Sequence, residues 1–323
     1  MRVLLPYAGW LPGAADDLPL PALHQLLSKM QLLRQDFRPE TAFFYLKHEA
    51  TLAAAYGLAG AESGQLPLAA LARWRAGLAP AAGEVWGRIS LCQWQIGMND
   101  GQLRSPAQLE VGEAEAAALW QALAPQLTER GLQIEPYPVL PPYARHVRVT
   151  GQFADLPSAS VERVAGQELS DYLPRAAPQS PGAQWQSLLS EVQMQLYNHP
   201  VNNSREARRQ ASINSIWLDG VGALPTGFAP ADIDIIPELQ QAAERGDIQG
   251  WRKAWLRIEA EQVPQWSAAL DAGEALELHL CGLQQSAVFT PAARGLGAGL
   301  MRAWQRWRQP QRGVHWPSDL AQG

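Results

Sequence analysis

Apolar residues recur at helical spacing in several windows of this chain. Trp185, Leu188, Leu189, Val192 and Leu196 fall on one helical face, which predicts a helix reaching Asn198. Pro200 disfavours helical geometry at His199 and ends it there. Ala116, Leu119, Trp120, Leu123 and Leu127 predict a second helix over 113–130, with Gly131 placed to cap it. Leu23, Leu26, Leu27 and Met30 predict a helix over 21–33, and Leu66 to Leu78 reads as another. Residues 237–245 read as a helix, and Trp251, Trp255 and Ile258 mark one more beyond them. Residues 295–308 read as a closing helix with Trp304, Trp307 and a basic face of Arg302, Arg306 and Arg308.

Strand signals lie between these helices. Met1 to Leu5 is a short apolar run ended by Pro6, and Val85 to Met98 alternates imperfectly. Residues 132–136 and 146–150 flank a proline-rich turn, and Ile213 to Leu218 is closed by Gly220 and Gly222. Residues 275–281 alternate, with Leu276, Leu278 and Leu280 on one side, and 287–290 runs beside them. Strands alternating with helices give an α/β class, a core sheet flanked by helices.

At 323 residues the chain has room for one large domain or two smaller ones. An apolar content of 47% supports a substantial core, to which 13 Trp contribute. The net charge of −5, with acids and bases interspersed, argues against a nucleic-acid partner. Cys92 and Cys281 cannot make a disulfide framework and read as buried thiols. No leader pattern opens the chain and no run of about 18 apolar residues occurs, so the expectation is a cytoplasmic protein without a membrane partner. The segment 311–323 reads as a polar tail.

The candidate chemistry centres on residues 199–214. His199 to Asn202 forms a polar turn, and Asn203, three residues before Glu206, resembles the opening cap of a short helix. Arg205 and Arg208 would share a face of that helix. Two guanidiniums there suit a phosphate or carboxylate, with His199, Asn202 and Asn214 as neutral donors. The same spacing also fits a solvated basic face beside a core strand. Trp94 and Gln95 are candidate lining residues from the strand ending near Met98. His48 and Glu49 are adjacent on a helix and point about 100° apart, which favours packing over a shared catalytic role.

The pattern H-P-V-N-x-x-R-x-x-R from His199 to Arg208, followed by N-S-I-W at Asn214 to Trp217, resembles the archaeal-type cofactor-independent phosphoglycerate mutases. It resembles still more a bacterial family described as such mutases or as RpfE-type regulators of pathogenicity factors. C-Q-W-Q-I-G-M-N at Cys92 to Asn99 and L-H-L-C-G at Leu278 to Gly282 fit that family too. The resemblance implies an alkaline-phosphatase-like core from residues 1–104 and 156–310, with 105–155 as a smaller inserted α+β subdomain. It also implies two divalent metal ions and a Ser or Thr nucleophile for phosphoryl transfer between 3- and 2-phosphoglycerate.

Several of the family's metal-binding features are absent from the sequence. The superfamily's first strand ends in Asp-Gly, where this chain has Pro6, Tyr7, Ala8 and Gly9. The mutases' Pro-His-Asp loop corresponds to Ser158 to Glu162, and Asp171 nearby reads as structural. Of six His, none follows an Asp and no two lie three to five apart. Asp232 and Asp234 form a carboxylate pair without a His beside it. The reading is a mutase-like protein without cofactors that binds a phosphorylated or carboxylate metabolite, or a protein partner, in regulation. Its alternative is an active 2,3-bisphosphoglycerate-independent mutase with a rebuilt two-metal site.

Overall fold

A computed structural model of the chain describes residues 1–37, 44–96, 101–135 and 140–292. The loop expected around Gly97 to Asp100, part of the proline-rich turn, the closing basic helix and the tail lie outside the described residues. The architecture is mixed α/β with two five-stranded sheets. The chain divides into two compact units, Met1–Glu40 with Ala231–Gly323, and Thr41–Pro230.

The first unit is built from both ends of the chain. Its strands are β1 (Arg2–Leu5), β2 (Met30–Phe37), β8 (Asp234–Ile235), β9 (Glu277–Cys281) and β10 (Gln285–Pro291), in the order β2-β10-β9-β1-β8. β1 lies parallel to both β8 and β9, while β10 runs antiparallel to β9 and β2. Val3, Leu4 and Leu5 are fully buried, as a central strand covered on both faces requires. For the same reason His279 and Cys281 are buried together with Leu278 and Leu280, although alternation assigned them to opposite sides.

The helices of this unit are α1 (Pro21–Ser28), α8 (Glu238–Glu244), α9 (Ile248–Glu261) and α10 (Val263–Asp271). No side chain of its own caps α1; Glu259 of α9 accepts from the N–H groups of Ala22 and Leu23, at 2.5 and 3.0 Å. The helix expected over 21–33 therefore stops at Ser28. Met30 onward becomes β2, because β10 offers a backbone ladder that the local pattern does not reveal.

The second unit carries β3 (Trp86–Ile96), β4 (Gly101–Arg104), β5 (Leu132–Glu135), β6 (Ala144–Val149) and β7 (Ser215–Gly222). All pairings are antiparallel, and the long β3 binds β4, β6 and β7. Residues 105–155 thus supply two of this sheet's strands and α4 (Glu113–Glu129). One sheet face is apolar: Ile89, Leu91, Leu132, Val147, Ile216 and Leu218 pack against α4 and α6 (Pro181–Tyr197).

The other face is different. Arg88 pairs with His146 of β6 and Asp219 of β7, and Ser90 and Cys92 follow on the same side. This polar layer is flanked by α2 (Lys47–Ala55), α3 (Leu68–Arg75) and α5 (Val161–Val164). Gly220 lets α3 approach: its φ is 61°, and an added Cβ would lie 3.0 Å from the Ala69 nitrogen. Gly222 does the same against Pro67, where a Cβ would come within 2.9 Å of the ring. Among the described residues no helix is long and apolar enough to cross a membrane.

Candidate functional site

The motif at 199–214 sits at the junction of α6, α7 (Pro200–Ala207) and β7. The cap of α7 is His199, a correction to the expectation of Asn203. Pro200 takes the first helical position, where its fixed φ suits the helix, and the His199 Nδ1 accepts from the Val201 N–H at 3.3 Å. Burial lowers the His199 pKa.

Asn202 is buried and spends its amide on backbone. Its Nδ2 donates to the carbonyls of Leu196 and Ile213, and its Oδ1 accepts from the Ile213 N–H, all at 2.8 Å. One side chain thereby ties the end of α6 to the entry of β7. Asn214 repeats the device one step on: its Oδ1 accepts from the Trp94 N–H at 2.7 Å and its Nδ2 donates to the Trp94 carbonyl at 3.0 Å. The sequence-predicted Trp94 and Asn214 are therefore in contact, through Trp94's backbone. Gln95 is exposed, on the stretch of β3 that pairs with β4.

Arg205 is 1% exposed. Its Nε donates to the Ala211 carbonyl at 2.7 Å, its Nη2 to the Leu109 carbonyl at 2.6 Å and its Nη1 to Glu115 at 2.6 Å. Arg208 reaches the second oxygen of Glu115 from the surface. The two arginines do share a direction, as their spacing predicts, and the anion at its end is a side chain of α4. Burial opposes ionisation of Glu115, but the charge and hydrogen bonds of Arg205, with Arg208 and the Gly112 N–H, outweigh it and lower its pKa.

The polar layer holds a second cluster that the sequence did not assemble. Arg88 Nε and Nη2 donate to Asp219 at 2.9 and 2.8 Å, while Nη1 and Nη2 reach Glu162 at 2.8 and 2.5 Å. The Val161 N–H also donates to Asp219, at 2.8 Å. Beside them Glu49 Oε2 accepts from the Leu46 N–H and the Ser160 hydroxyl, both at 2.7 Å. Burial, then the Glu162 charge, push Glu49 up to about 8. Burial acts against Glu162 too, but Arg88 outweighs it and lowers its pKa. Burial and the Glu162 charge raise Asp219 against the pull of Arg88. Burial also keeps His48 neutral, with its pKa lowered to about 4. The signal for this cluster was Arg88 and Asp219, single charges inside otherwise apolar strand runs.

In the first unit the loop after β1 meets the first turn of α9 at an open crevice of about 510 Å³. Leu11, Pro12, Ala14, Ile248, Gln249 and Arg252 line it. Arg252 Nη1 is anchored by the carbonyls of Ala14 and Asp16, at 2.7 and 3.0 Å. Just before the loop Tyr7 is buried in the left-handed region at φ 55°, and its carbonyl accepts from Trp251 Nε1 at 2.8 Å. β1 has β8 on one side and β9 on the other, and its carboxyl end is where open α/β sheets place small ligands.

No family model and no curated protein matches this sequence. Among solved structures, the chain is similar to the PH0037 protein from Pyrococcus horikoshii, at 11% identity and a TM-score of 0.45, over 90% of this chain and 87% of that one. It is also similar to a cofactor-independent phosphoglycerate mutase from Thermoplasma acidophilum DSM 1728, at 12% identity and a TM-score of 0.34, over 90% of this chain and 89% of that one.

Proposed function

We propose that this protein is a non-catalytic binding protein of mutase-like descent, acting in regulation through a small phosphorylated or carboxylate metabolite. The observation that carries the reading is Arg88, whose guanidinium closes on both Glu162 and Asp219. Phosphoryl transfer by a two-metal route needs carboxylates and imidazoles that converge on cations. Here the converging carboxylates already hold a cation that belongs to the fold. Among the described residues no three His, Cys, Asp or Glu side chains are grouped to hold a metal ion. Both observations, made on the described residues, support a reading without a bimetal centre.

In this reading the motif at 199–214 is a clamp. Asn202, Arg205 and Asn214 each join two segments of backbone, and Arg205 and Arg208 neutralise Glu115. The crevice at the end of β1 is then the place for a small ligand, with apolar walls and Arg252 as its cationic group.

Calorimetric titration with 3-phosphoglycerate and with inorganic phosphate tests this. Three proteins are compared: wild type, Arg208→Ala and Gln249→Trp, the last placing an indole in the crevice from an exposed position. The proposal expects binding by wild type and Arg208→Ala, and at least tenfold weaker binding by Gln249→Trp. Loss of binding in Arg208→Ala alone would return the ligand to the motif and sink the crevice.

A further inference from the structure

Arg252, in the crevice beyond β1, carries more donors than the fold uses. Its Nη1 donates to the Ala14 carbonyl at 2.7 Å and to the Asp16 carbonyl at 3.0 Å, which takes both hydrogens of that nitrogen. Among the described residues no acceptor meets Nε or Nη2. With Nη1 spent, the edge of the guanidinium left for a two-point contact is the one formed by Nε and Nη2. That edge presents two parallel N–H groups, and they match the two oxygens of one carboxylate.

The rest of the lining is mostly apolar. Leu11, Pro12 and Ala14 come from the loop, and Ile248 comes from the first turn of α9. Leu11 is 37% exposed and Ile248 41% exposed, so two large aliphatic side chains stand in water beside the guanidinium. Hydrocarbon laid against them would leave water and take theirs with it.

The positive charge at the crevice is single. None of its other lining residues is Lys, Arg or His. Acids flank the lining residues in sequence: Asp16 and Asp17 follow Ala15, and Asp247 caps α9, its Oδ1 accepting from the Gly250 N–H at 2.8 Å. The positive end of the α9 dipole therefore has an anion of its own already. Repulsion from these carboxylates acts twice as strongly on a phosphate dianion as on a carboxylate.

Resting on the reading that this crevice is the ligand site, we propose that it takes a monocarboxylate with an apolar body, of the class of short aliphatic acids. The carboxylate lies on the Nε–Nη2 edge of Arg252 and the hydrocarbon against Leu11, Pro12 and Ile248. The volume of about 510 Å³ is within the span of small-molecule sites, about 300–1,000 Å³. Between the two anions of the broader reading, the carboxylate is preferred to the phosphate.

Calorimetric titration of the full chain at pH 7 compares hexanoate, acetate, 1-hexanol, 3-phosphoglycerate and inorganic phosphate. Hexanoate and acetate share the carboxylate and differ in methylenes, each of which tightens binding about fourfold when buried. Hexanoate and 1-hexanol share the chain length and differ in the charge. The expected result is hexanoate binding at least tenfold tighter than each of the other four, and at least tenfold weaker hexanoate binding in Gln249→Trp. Arg252→Lys keeps the charge without the fork and should weaken hexanoate about tenfold. Should that variant fail to fold, hexanoate against 1-hexanol in wild type still decides. Equal affinity for those two would overturn the proposal. So would tighter binding of 3-phosphoglycerate or phosphate than of hexanoate; if Gln249→Trp abolished that binding, the crevice would remain the ligand site. Hexanoate binding untouched by Gln249→Trp, or no binding of any of the five, would overturn the crevice as well.

Discussion

Arg205 and Arg208 look alike in the sequence and differ sharply in the fold, so replacing each by Ala separates clamp from ligand site. Arg205→Ala leaves the carbonyls of Leu109 and Ala211 without their side-chain donor. An unsatisfied buried polar group costs about 1–3 kcal/mol. Glu115 keeps Arg208, so the ion-pair loss is partial, while the emptied volume of the buried stem adds to the cost. The sum is about 3–5 kcal/mol, the range for breaking a buried charge pair. Arg208 is 56% exposed and its pair with Glu115 lies at the surface, so Arg208→Ala should cost less than about 1 kcal/mol. Arg205→Lys should fall between, since an ammonium cannot serve three acceptors spread around a planar fork. Urea unfolding at pH 7, by fluorescence and circular dichroism, measures all three. Equal destabilisation by the two Ala variants would refute the reasoning. So would an Arg205→Ala protein of wild-type stability that no longer binds phosphoglycerate.

Arg88→Met should destabilise the protein by about 3–5 kcal/mol in the same urea assay, because Glu162 and Asp219 are left buried and unpaired. Asn202→Ala should cost about 2–4 kcal/mol, by loss of three backbone contacts at the α6–β7 junction, and should raise amide exchange at Ile213. On the acid side, burial lowers the pKa of His48 to about 4, and burial with the Arg73 and Arg88 charges lowers that of His146 to about 3. Both stay neutral while the unfolded chain takes up protons below about pH 6.5, so the contribution of each histidine to stability falls as pH drops from there, against the opposite contribution of Glu49. The loss by pH 5 is about 2 kcal/mol per histidine. Urea midpoints at pH 7 and pH 5 check this, and His146→Gln should show a smaller drop than wild type.

The amphipathic helices were legible because their signal is local. The stripes over α4, α6 and α9 depend only on spacing within each segment, and Leu119, Val192 and Trp255 are buried as their positions predict. The division into two sheets was not legible. Arg88 meets Asp219 across 131 positions, and Glu115 meets Arg205 across 90. No window of the sequence contains both members of either pair. The 30–37 stretch failed for a related reason: its apolar residues suit a helix or an edge strand, and β10, far along the chain, selects the strand. In the motif at 199–214 the residue types were legible and their partners were not. An arginine pair on a helix looks the same whether its anion is a metabolite or the glutamate of a neighbouring helix. Gly220 and Gly222, a weak signal in sequence, have a concrete cause in the approach of α3 and Pro67.

The central proposal is that the buried acid and base groups, Arg88, Glu162, Asp219, Glu115 and Arg205, hold the fold and carry no phosphoryl transfer. Incubation of the purified protein with 3-phosphoglycerate, in separate samples containing Mn²⁺, Co²⁺, Zn²⁺ or Mg²⁺, tests it most directly. Phosphorus NMR then follows the appearance of 2-phosphoglycerate, with elemental analysis of the same preparation. The account predicts no conversion above the protein-free control and no stoichiometric metal. Conversion that a chelator abolishes and added metal restores would contradict it.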